Sequence, residues 1–299
     1  MSSLLLFFID GLGIGTRVPF NPFHNLDEAS PLAVFQDEEP PLPFDGKLAR
    51  TDACLGVAGR PQSASGQTTI LTGVNVPATL GIHKQGFPNE AMRGILREHS
   101  VFLQLLRAGI TPNVFANAYT NRFFEHRPRW TSATTTAVEA AGMNFRTIED
   151  LRKGRALYHD FTNRLLREAG EDQMELRTPE EAGAILAGIA AQHRFTLYEY
   201  FITDKIGHAQ DMMAARKVIV ELAAFTRSLL AHSDFSQTTV LLTSDHGNLE
   251  DLSTRNHTLN TVPTIIWGAH RQSLAERIHS LADLTPAIVD TLTRKEAAV

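Results

Sequence analysis

The amino-acid sequence predicts an α/β protein in which a doubly wound, mostly parallel sheet carries a small, mainly helical cap. Short apolar runs typical of buried strands alternate with helical patterns, an order that produces a parallel sheet covered by helices. From residue 120 to about residue 177 the strand signals vanish while helical patterns persist. We therefore assign residues 1–119 and 178–299 to the core and residues 120–177 to the cap. The 299 residues, 43% of them hydrophobic, suffice for a large core.

The first predicted strand places an acidic residue where ligands usually bind. Residues 4–9 are continuously apolar, as expected of a central strand in a parallel sheet, and they end at Asp10 and Gly11. Ligands of open α/β sheets bind at the carboxyl ends of the strands. We therefore expect the carboxylate of Asp10 to face a binding crevice.

The remaining elements are predicted from periodicity, helix caps and turn residues. Residues 16–43 are rich in Pro, Asn, Asp and Glu, which indicates a loop with a short helix around residues 31–35. Thr178, with Glu181 three residues later, predicts a capped helix start. The other predicted strands span residues 113–118, 195–203, 238–243 and 262–267. The other predicted helices span residues 100–108, 178–192, 209–230, 272–281 and 283–292 in the core, and 135–141, 147–154 and 160–169 in the cap.

Composition and charge exclude several classes of protein. A net charge of -5 and the lack of a long basic run predict no nucleic-acid partner. The single cysteine, Cys54, cannot form an intrachain disulfide. The apolar run at residues 4–9 is too short for a membrane span and lacks the features of a signal peptide. We expect a soluble cytoplasmic protein without a membrane partner, and the sequence leaves its oligomeric state open.

Carboxylates and imidazoles recur in four separate clusters near predicted strand ends. The clusters supply the residues Asp10, Asp204, His208, Asp245, His246 and His257. Each cluster taken alone is also compatible with an ordinary turn or helix cap. Four unrelated turns have no reason to place three aspartates and three histidines at one edge of a sheet, so together they predict a centre for divalent metal ions.

A second signal is the small, polar segment of residues 62–73, which leads into a helix. A hydroxyl at a helix N-terminus lies beside free N–H groups and the positive end of the helix dipole, which favours an anionic phosphoryl group. Ser63 and Ser65 both supply such a hydroxyl, and a simple helix cap is the ordinary alternative. The glycines of residues 11–15 suggest a dinucleotide loop, but the full spacing and the helix that should follow are missing.

These motifs, in this order along the chain, resemble the alkaline phosphatase superfamily, within it the branch of cofactor-independent phosphoglycerate mutase and phosphopentomutase. The resemblance rests on residues 8–11, 62–73, 204–208, 243–248 and 257–263. It implies two divalent metal ions, Mn²⁺ or Zn²⁺. The first ion would be bound by Asp204, His208 and His257, and the second by Asp10, Ser63, Asp245 and His246.

The resemblance also implies a nucleophile and a reaction. In that branch an apolar residue follows the nucleophile by seven positions and a glycine follows it by ten, a frame that Ser63, Ile70 and Gly73 satisfy. We expect a phosphatase or phosphodiesterase-like hydrolase that passes through a phosphoserine at Ser63. A phosphomutase acting on a small sugar phosphate or phosphoglycerate is the alternative. A second alternative is a non-catalytic binding protein that retains the fold.

The expected partner is a small phosphorylated substrate. Candidate residues for contacting it are His83, Lys84, Asn121, Arg122 and Lys205. The basic residues at the start of the predicted cap are also compatible with a solvated surface. Lys205, which lies between two predicted ligands, either contacts a phosphoryl oxygen or points away from it.

Overall fold

A computed structural model describes residues 2–294 of the chain. A six-stranded sheet forms its centre, and a separate pair of two-residue strands lies beside it. The strands are β1 (Ser3–Ile9), β2 (Lys47–Thr51), β3 (Asn113–Phe115), β4 (Ala118–Tyr119), β5 (Arg146–Thr147), β6 (Phe195–Tyr200), β7 (Thr238–Thr243) and β8 (Val262–Trp267). The central sheet has the order β2-β8-β7-β1-β6-β3.

Helices cover both faces of this sheet. They are α1 (Ser63–Thr72), α2 (Val76–Leu80), α3 (Glu90–His99), α4 (Val101–Arg107), α5 (Asn121–Glu125), α6 (Ala133–Ala140), α7 (Ile148–Arg152), α8 (Arg164–Glu168), α9 (Pro179–Ala191), α10 (Ile202–Ala209), α11 (Met212–Ala231), α12 (Arg271–Ala275) and α13 (Leu284–Thr293). Short 3₁₀ turns lie at Asp27–Ala29, Pro43–Asp45 and Leu281–Asp283. Among residues 2–294, no helix combines the length and the apolar character needed to cross a membrane.

Alternate side chains of the central strand β1 enter two hydrophobic clusters. Phe7 points to the face covered by α9 and α11, where its ring centroid lies 5.4 Å from that of Phe225. Phe8 points to the opposite face and packs in one cluster with Ile70 of α1 and Ile288 of α13. Because side chains alternate along a strand, a fully apolar sequence places β1 between two layers of helices. The predicted α/β fold class is confirmed.

The direction of β8 determines where one predicted ligand lies. Strands β7, β1, β6 and β3 are parallel to one another, whereas β8 is antiparallel to β7. The start of β8 therefore meets the carboxyl ends of its parallel neighbours. His257, which precedes β8, consequently reaches the same edge of the sheet as Asp10, which follows β1.

Several predicted elements agree with the structure and others do not. The strands predicted at residues 238–243 and 262–267 and the capped start of α9 are confirmed. The strand predicted over residues 195–203 is too long, because α10 begins at Ile202 and carries Asp204. The helix predicted around residues 31–35 is wrong, since the helical turn lies at Asp27–Ala29.

Two further predicted helices have different boundaries in the structure. The helix predicted from residue 209 begins at Met212, because Gln210 has a left-handed backbone and Asp211 caps the new helix through the N–H of Ala214. The helix predicted over residues 272–281 ends at Ala275. These differences move helix ends without changing the order of elements.

The segment predicted as a cap contains two kinds of packing. Ile148, Leu151 and Leu166 form a small cluster of their own, separate from the clusters on the central sheet. Helix α6, by contrast, places Ala137 and Val138 in the cluster that covers one face of the sheet. The division into core and cap stays a prediction, and α6 contributes to the packing of the core.

Candidate metal centre

The six predicted side-chain ligands lie in two adjacent groups at one edge of the sheet. The first group is Asp204, His208 and His257, and the second is Asp10, Asp245 and His246. Within each group, one ligand atom from each residue lies within 4.8 Å of the others. The imidazole rings of His246 and His257 stack with centroids 3.6 Å apart, so the two groups share a boundary.

In the first group, backbone carbonyls orient both imidazoles. Nδ1 of His208 lies 2.7 Å from the carbonyl oxygen of Arg255, and Nδ1 of His257 lies 2.8 Å from that of Pro61. Each Nδ1 donates its hydrogen there, which leaves Nε2 with a lone pair in the neutral ring. The two Nε2 atoms lie 3.2 Å apart and within 3.4–3.5 Å of the carboxylate of Asp204.

In the second group, the side chains converge on Nε2 of His246. This atom lies 3.3 Å from Oδ1 of Asp10, 3.5 Å from Oδ2 of Asp245 and 2.9 Å from Oγ of Ser63. Asp10 follows β1, and Asp245 and His246 follow β7, which is hydrogen-bonded to β1. The pairing of two neighbouring parallel strands therefore brings these ligands together.

Ser63 and Ser65 have different surroundings. Ser63 is the first residue of α1, and its hydroxyl faces His246. The hydroxyl of Ser65 instead donates to the carbonyl of Gln62 and accepts the N–H of Lys84. The structure thus brings Ser63, and not Ser65, to the candidate metal ligands.

The carboxylates of the centre are crowded and buried. Burial, followed by the charges of Asp245 and Asp204, raises the pKa of Asp10 well above its usual range. Burial raises the pKa of Asp245 to about 7 and lowers that of His246 to about 3. Burial also opposes ionisation of Asp204, but hydrogen bonds and positive charge, first of all the bond from His257, lower its pKa to about 2. Such a cluster is stabilised by a bound cation.

The donor set fits divalent metal ions. Mixed carboxylate oxygens and imidazole nitrogens suit borderline ions such as Zn²⁺ and Mn²⁺. Among residues 2–294, the ion-pair partners found for Asp10, Asp204 and Asp245 are histidines, so no lysine or arginine offsets their charge at close range. Asp10, Asp245, His246 and Ser63 would hold one ion.

Gln67 is a residue of the centre that the sequence did not single out. Its Nε2 donates to Oδ2 of Asp10 at 3.0 Å and to Oδ2 of Asp245 at 3.2 Å. It therefore links two carboxylates that repel each other. The signal in the sequence was its position four residues after Ser63, which places both side chains on one face of α1.

Glu250 is a second residue that the sequence did not single out. Its carboxylate is buried and accepts four hydrogen bonds, from the N–H groups of Gly13 and Asn248, the hydroxyl of Thr258 and the amide of Asn260. These donors belong to the loops that carry Asp10, Asp245, His246 and His257. Glu250 thus ties the ligand-bearing loops to one another.

This contact also explains the glycine-rich loop after β1. A Cβ atom added at Gly13 would lie 2.2 Å from Oε1 of Glu250, so the Glu250 carboxylate would have to move away from its hydrogen-bond donors. One added at Gly11 would lie 2.9 Å from Cβ of Asp204. Close approach to acidic residues of the centre accounts for glycine at both positions.

Glu199 is a third residue that the sequence did not single out. It is the charged residue in the otherwise uncharged strand β6, and its carboxylate accepts a hydrogen bond from the hydroxyl of Thr134. Burial raises the pKa of Glu199 to about 7. A lone carboxylate in a buried strand was the signal that could have identified it.

The residues predicted to contact a substrate are spread over the surface. Lys205 lines a cavity beside Ser63. His83 lines a separate depression, where its Nε2 lies 3.2 Å from the carbonyl oxygen of Val57, and Nζ of Lys84 donates to the carbonyl of Gln85. The remaining two, Asn121 and Arg122, are exposed on α5. Their contacts with a substrate stay predictions.

Comparison with known sequences points to one superfamily. Residues 173–296 match the family model described as the Metalloenzyme superfamily. The 2,3-bisphosphoglycerate-independent phosphoglycerate mutase of Roseobacter denitrificans is 31% identical over 124 residues, which cover 39% of this chain and 24% of that protein. The corresponding mutase of Desulforudis audaxviator is 29% identical over 150 residues, covering 42% and 28%. The matches span about a quarter of the length of these curated relatives.

Solved structures show the same architecture over nearly the whole chain. PH0037 of Pyrococcus horikoshii aligns with a TM-score of 0.57 and 15% identity, covering 100% of this chain and 98% of its own. The alkaline phosphatase of the Antarctic bacterium TAB5 aligns with a TM-score of 0.50 and 14% identity, covering 98% and 99%. The resemblance to the alkaline phosphatase superfamily is confirmed.

Similarity to alkaline phosphatase-like proteins gives a general chemical expectation. The superfamily is enzymatic, of phosphatase and mutase type, and it uses divalent metal ions. The two groups of carboxylates and imidazoles are the candidate ligands for such ions.

Proposed function

We infer that this protein is a metal-dependent phosphoric ester hydrolase that acts through a phosphoserine at Ser63. The observation that carries this proposal is the position of the Ser63 hydroxyl, at the first residue of α1 and 2.9 Å from Nε2 of His246. The positive end of the helix dipole faces the space in front of this hydroxyl and favours a phosphoryl group there. The superfamily relationship supports the same chemistry.

The reaction is a double displacement at phosphorus. Oγ of Ser63 bonds to phosphorus while the ester P–O bond breaks, and the alcohol leaves with a proton. Water then attacks the phosphoserine, releases inorganic phosphate and restores the hydroxyl. Bound divalent ions would activate the serine oxygen and offset the charge that develops on the phosphoryl oxygens.

The protein's own residues position the nucleophile. His246 stays neutral at ordinary pH, because burial lowers its pKa to about 3. Its orientation is fixed by stacking on His257, and Gln67 holds the carboxylates of Asp10 and Asp245 in place. The Ser63 hydroxyl therefore meets a prearranged set of donor atoms, so little reorganisation precedes attack.

The test is release of phosphate or p-nitrophenol from a panel of phosphomonoesters and phosphodiesters. Metal-stripped protein should gain activity when Mn²⁺ or Zn²⁺ is added. Ser63→Ala should lower kcat at least about 1000-fold, as expected for loss of a nucleophile. Ser65→Ala is the matched control and should retain most of the activity, because its hydroxyl contacts only backbone groups.

A phosphomutase is the second candidate, because the curated relatives are mutases. It would share the phosphoserine but return the phosphoryl group to a second hydroxyl of the substrate. An isomerised phosphate ester without release of inorganic phosphate would favour it. A failure to bind Mn²⁺ or Zn²⁺ and to cleave any ester would instead favour a binding protein that retains the fold.

A further inference from the structure

A large cavity opens beside Ser63, and eight Phe, Tyr and Trp side chains line it. Its volume is about 650 Å³, within the range of small-molecule sites. Asp10, Ser63 and Asp204 form one end. Farther from the metal ligands the wall includes Phe87, Tyr119, Phe123, Trp130, Tyr158 and Phe201. A phosphoryl group at Ser63 would therefore place the rest of its ester among aromatic rings.

Two sides of this cavity are built from rings that support one another. On one side, Tyr119 and Phe123 lie with centroids 4.2 Å apart, and Phe145 packs against both from behind. On the other side, the ring of His159 stacks on that of Phe201 at 4.3 Å and 26°. Mutual packing holds these rings in fixed orientations, which is favourable for stacking on a flat ligand.

Aromatic surface at the mouth of the cavity is left accessible. Phe87 is 51% exposed, Trp130 50% and Phe201 43%. Three large aromatic side chains on one cavity form an apolar patch, a feature that marks ligand-binding grooves. Their position next to Ser63 connects this patch to the proposed chemistry.

The charges around the cavity disfavour a second anionic group on the substrate. Among the described residues that line it, Lys205 is the single lysine or arginine, whereas the carboxylate of Glu199 also faces it. Arg127, near this end of the molecule, instead pairs with Glu139 and lies over the ring of Phe123. A carboxylate or second phosphate deep in the cavity would lack the paired donors that such groups require.

We propose that the substrate is a phosphate ester whose organic group is an uncharged aromatic ring system, held by Phe87, Trp130 and Phe201 while its phosphoryl group reaches Ser63. This inference rests on the proposed hydrolase function. It selects against phosphoglycerate and small sugar phosphates, which offer no ring to stack and, in phosphoglycerate, a carboxylate without a partner.

The first experiment compares esters of similar intrinsic reactivity. Both 2-(1-naphthyl)ethyl phosphate and ethyl phosphate release a primary alcohol, so a difference in kcat/KM reports contacts of the ring. We expect the naphthyl ester to be cleaved with a kcat/KM at least about 100-fold higher, in line with burial of a bicyclic ring. 3-Phosphoglycerate should be cleaved no better than ethyl phosphate.

Variants then assign the preference to this cavity. Phe87→Ala and Trp130→Ala should each lower the ratio of the two kcat/KM values about tenfold. Phe44→Ala is the matched control, because Phe44 is 53% exposed and does not line the cavity. An unchanged ratio in the first two variants, or equal cleavage of ethyl phosphate by the unaltered protein, would overturn the inference and leave the hydrolase proposal intact.

A binding measurement separates this inference from the function on which it rests. Calorimetric titration of metal-stripped protein with 2-(1-naphthyl)ethanol measures the cavity without catalysis. We expect saturable binding that Phe87→Ala and Trp130→Ala weaken and Phe44→Ala does not. Loss of all ester cleavage with binding preserved would refute the hydrolase alone, and absence of binding would refute the aromatic site.

Discussion

The Nε2 atoms of His208 and His257 lie 3.2 Å apart while the Nδ1 atom of each ring is hydrogen-bonded to a backbone carbonyl. Two neutral imidazoles held in this way point lone pairs at each other, which is unfavourable unless a cation or a proton lies between them. Asp204 approaches the same point from a third direction. The fold thus holds these three side chains in an arrangement that is unfavourable by itself and that a metal ion stabilises.

The first prediction concerns metal removal. Chelation should lower the thermal stability, and an ion present at 100 times its Kd should restore about 2.7 kcal/mol per site. In His257→Gln the increase in Tm with added Mn²⁺ or Zn²⁺ should shrink, because one ligand is lost. His279→Gln, an exposed position away from the centre, serves as the control. Equal metal-dependent shifts in both variants, measured by calorimetry, would contradict the assignment.

The second prediction concerns Gln67, which donates to both Asp10 and Asp245. Gln67→Leu removes the only side-chain amide found between these two carboxylates in the described structure. We expect it to destabilise the metal-stripped protein by about 1–3 kcal/mol, the usual cost of unpaired buried polar groups. Saturating metal should offset most of this loss, because the cation takes over the role of the amide.

Denaturant unfolding with and without metal checks this prediction. Gln104→Leu is the matched control, since the amide of Gln104, on α4, donates to the backbone carbonyls of Thr72 and His99 and to no carboxylate of the centre. Its effect should not depend on metal. If Gln67→Leu destabilises the metal-stripped and the metal-bound protein equally, the amide has a purely local structural role.

The third prediction concerns Glu250. In Glu250→Gln one carboxylate oxygen becomes an NH₂ group that faces N–H or O–H donors, so at least one pair of hydrogen bonds is lost. We expect a decrease of about 2–4 kcal/mol in the free energy of unfolding, from two buried donors left unpaired. Because Glu250 joins the ligand-bearing loops, affinity for both metal ions should fall together.

Equilibrium unfolding and metal titration of Glu250→Gln test the two parts separately. Glu149→Gln, which removes an exposed ion pair with Lys153 on α7, is the control and should change stability by less than about 1 kcal/mol. Weakened binding of one ion with the other unaffected would show that Glu250 supports a single loop.

The fourth prediction concerns pH and His159. Burial, reinforced by the charge of Lys205 and opposed by that of Asp160, lowers the pKa of His159 to about 4 from an ordinary 6.5. The unfolded chain therefore binds a proton between these two values that the folded protein does not. Stability contributed by neutral His159 is present above pH 6.5 and is lost as the pH falls toward 4.

The size of this effect is about 2 kcal/mol after allowance for partial solvent access. In His159→Gln the difference in unfolding free energy between pH 7 and pH 4 should be smaller than in the unaltered protein by that amount. His99→Gln, an exposed histidine, should leave the pH dependence unchanged. A pH dependence that is the same in His159→Gln would show that His159 titrates normally.

The sequence predicted the ends of β1 and β7 well because the relevant signal is local. The apolar runs before Asp10 and Asp245 specify buried strands, and buried parallel strands deliver their next residues to a common edge. The choice of Ser63 over Ser65 came instead from the residue spacing of the superfamily branch that the sequence resembles. The division into two adjacent ligand groups came from the superfamily resemblance, and the distances in the structure agree with it.

Other features depend on contacts between distant segments and could not be predicted from single motifs. In the sequence Glu250 looks like an ordinary acidic residue, because its contacts with Gly13 and Thr258 form only in the folded protein. The aromatic cavity combines residues from widely separated loops, such as Phe87 and Phe201, that show no shared pattern in the sequence. The antiparallel direction of β8 is also invisible in its composition, since a short apolar run has no direction.

The central place of β1 in the sheet has a consequence for how the protein is made. β1 is synthesised long before its partners β6 and β7, which begin at Phe195 and Thr238. At a synthesis rate of about 5–20 residues per second, roughly ten to forty seconds pass between the synthesis of β1 and that of the strands that pair with it. Asp10 can come together with the aspartates and histidines of residues 204–257 only after this interval. Binding of a metal ion by all six candidate ligands therefore has to wait for the synthesis of residues 204–257.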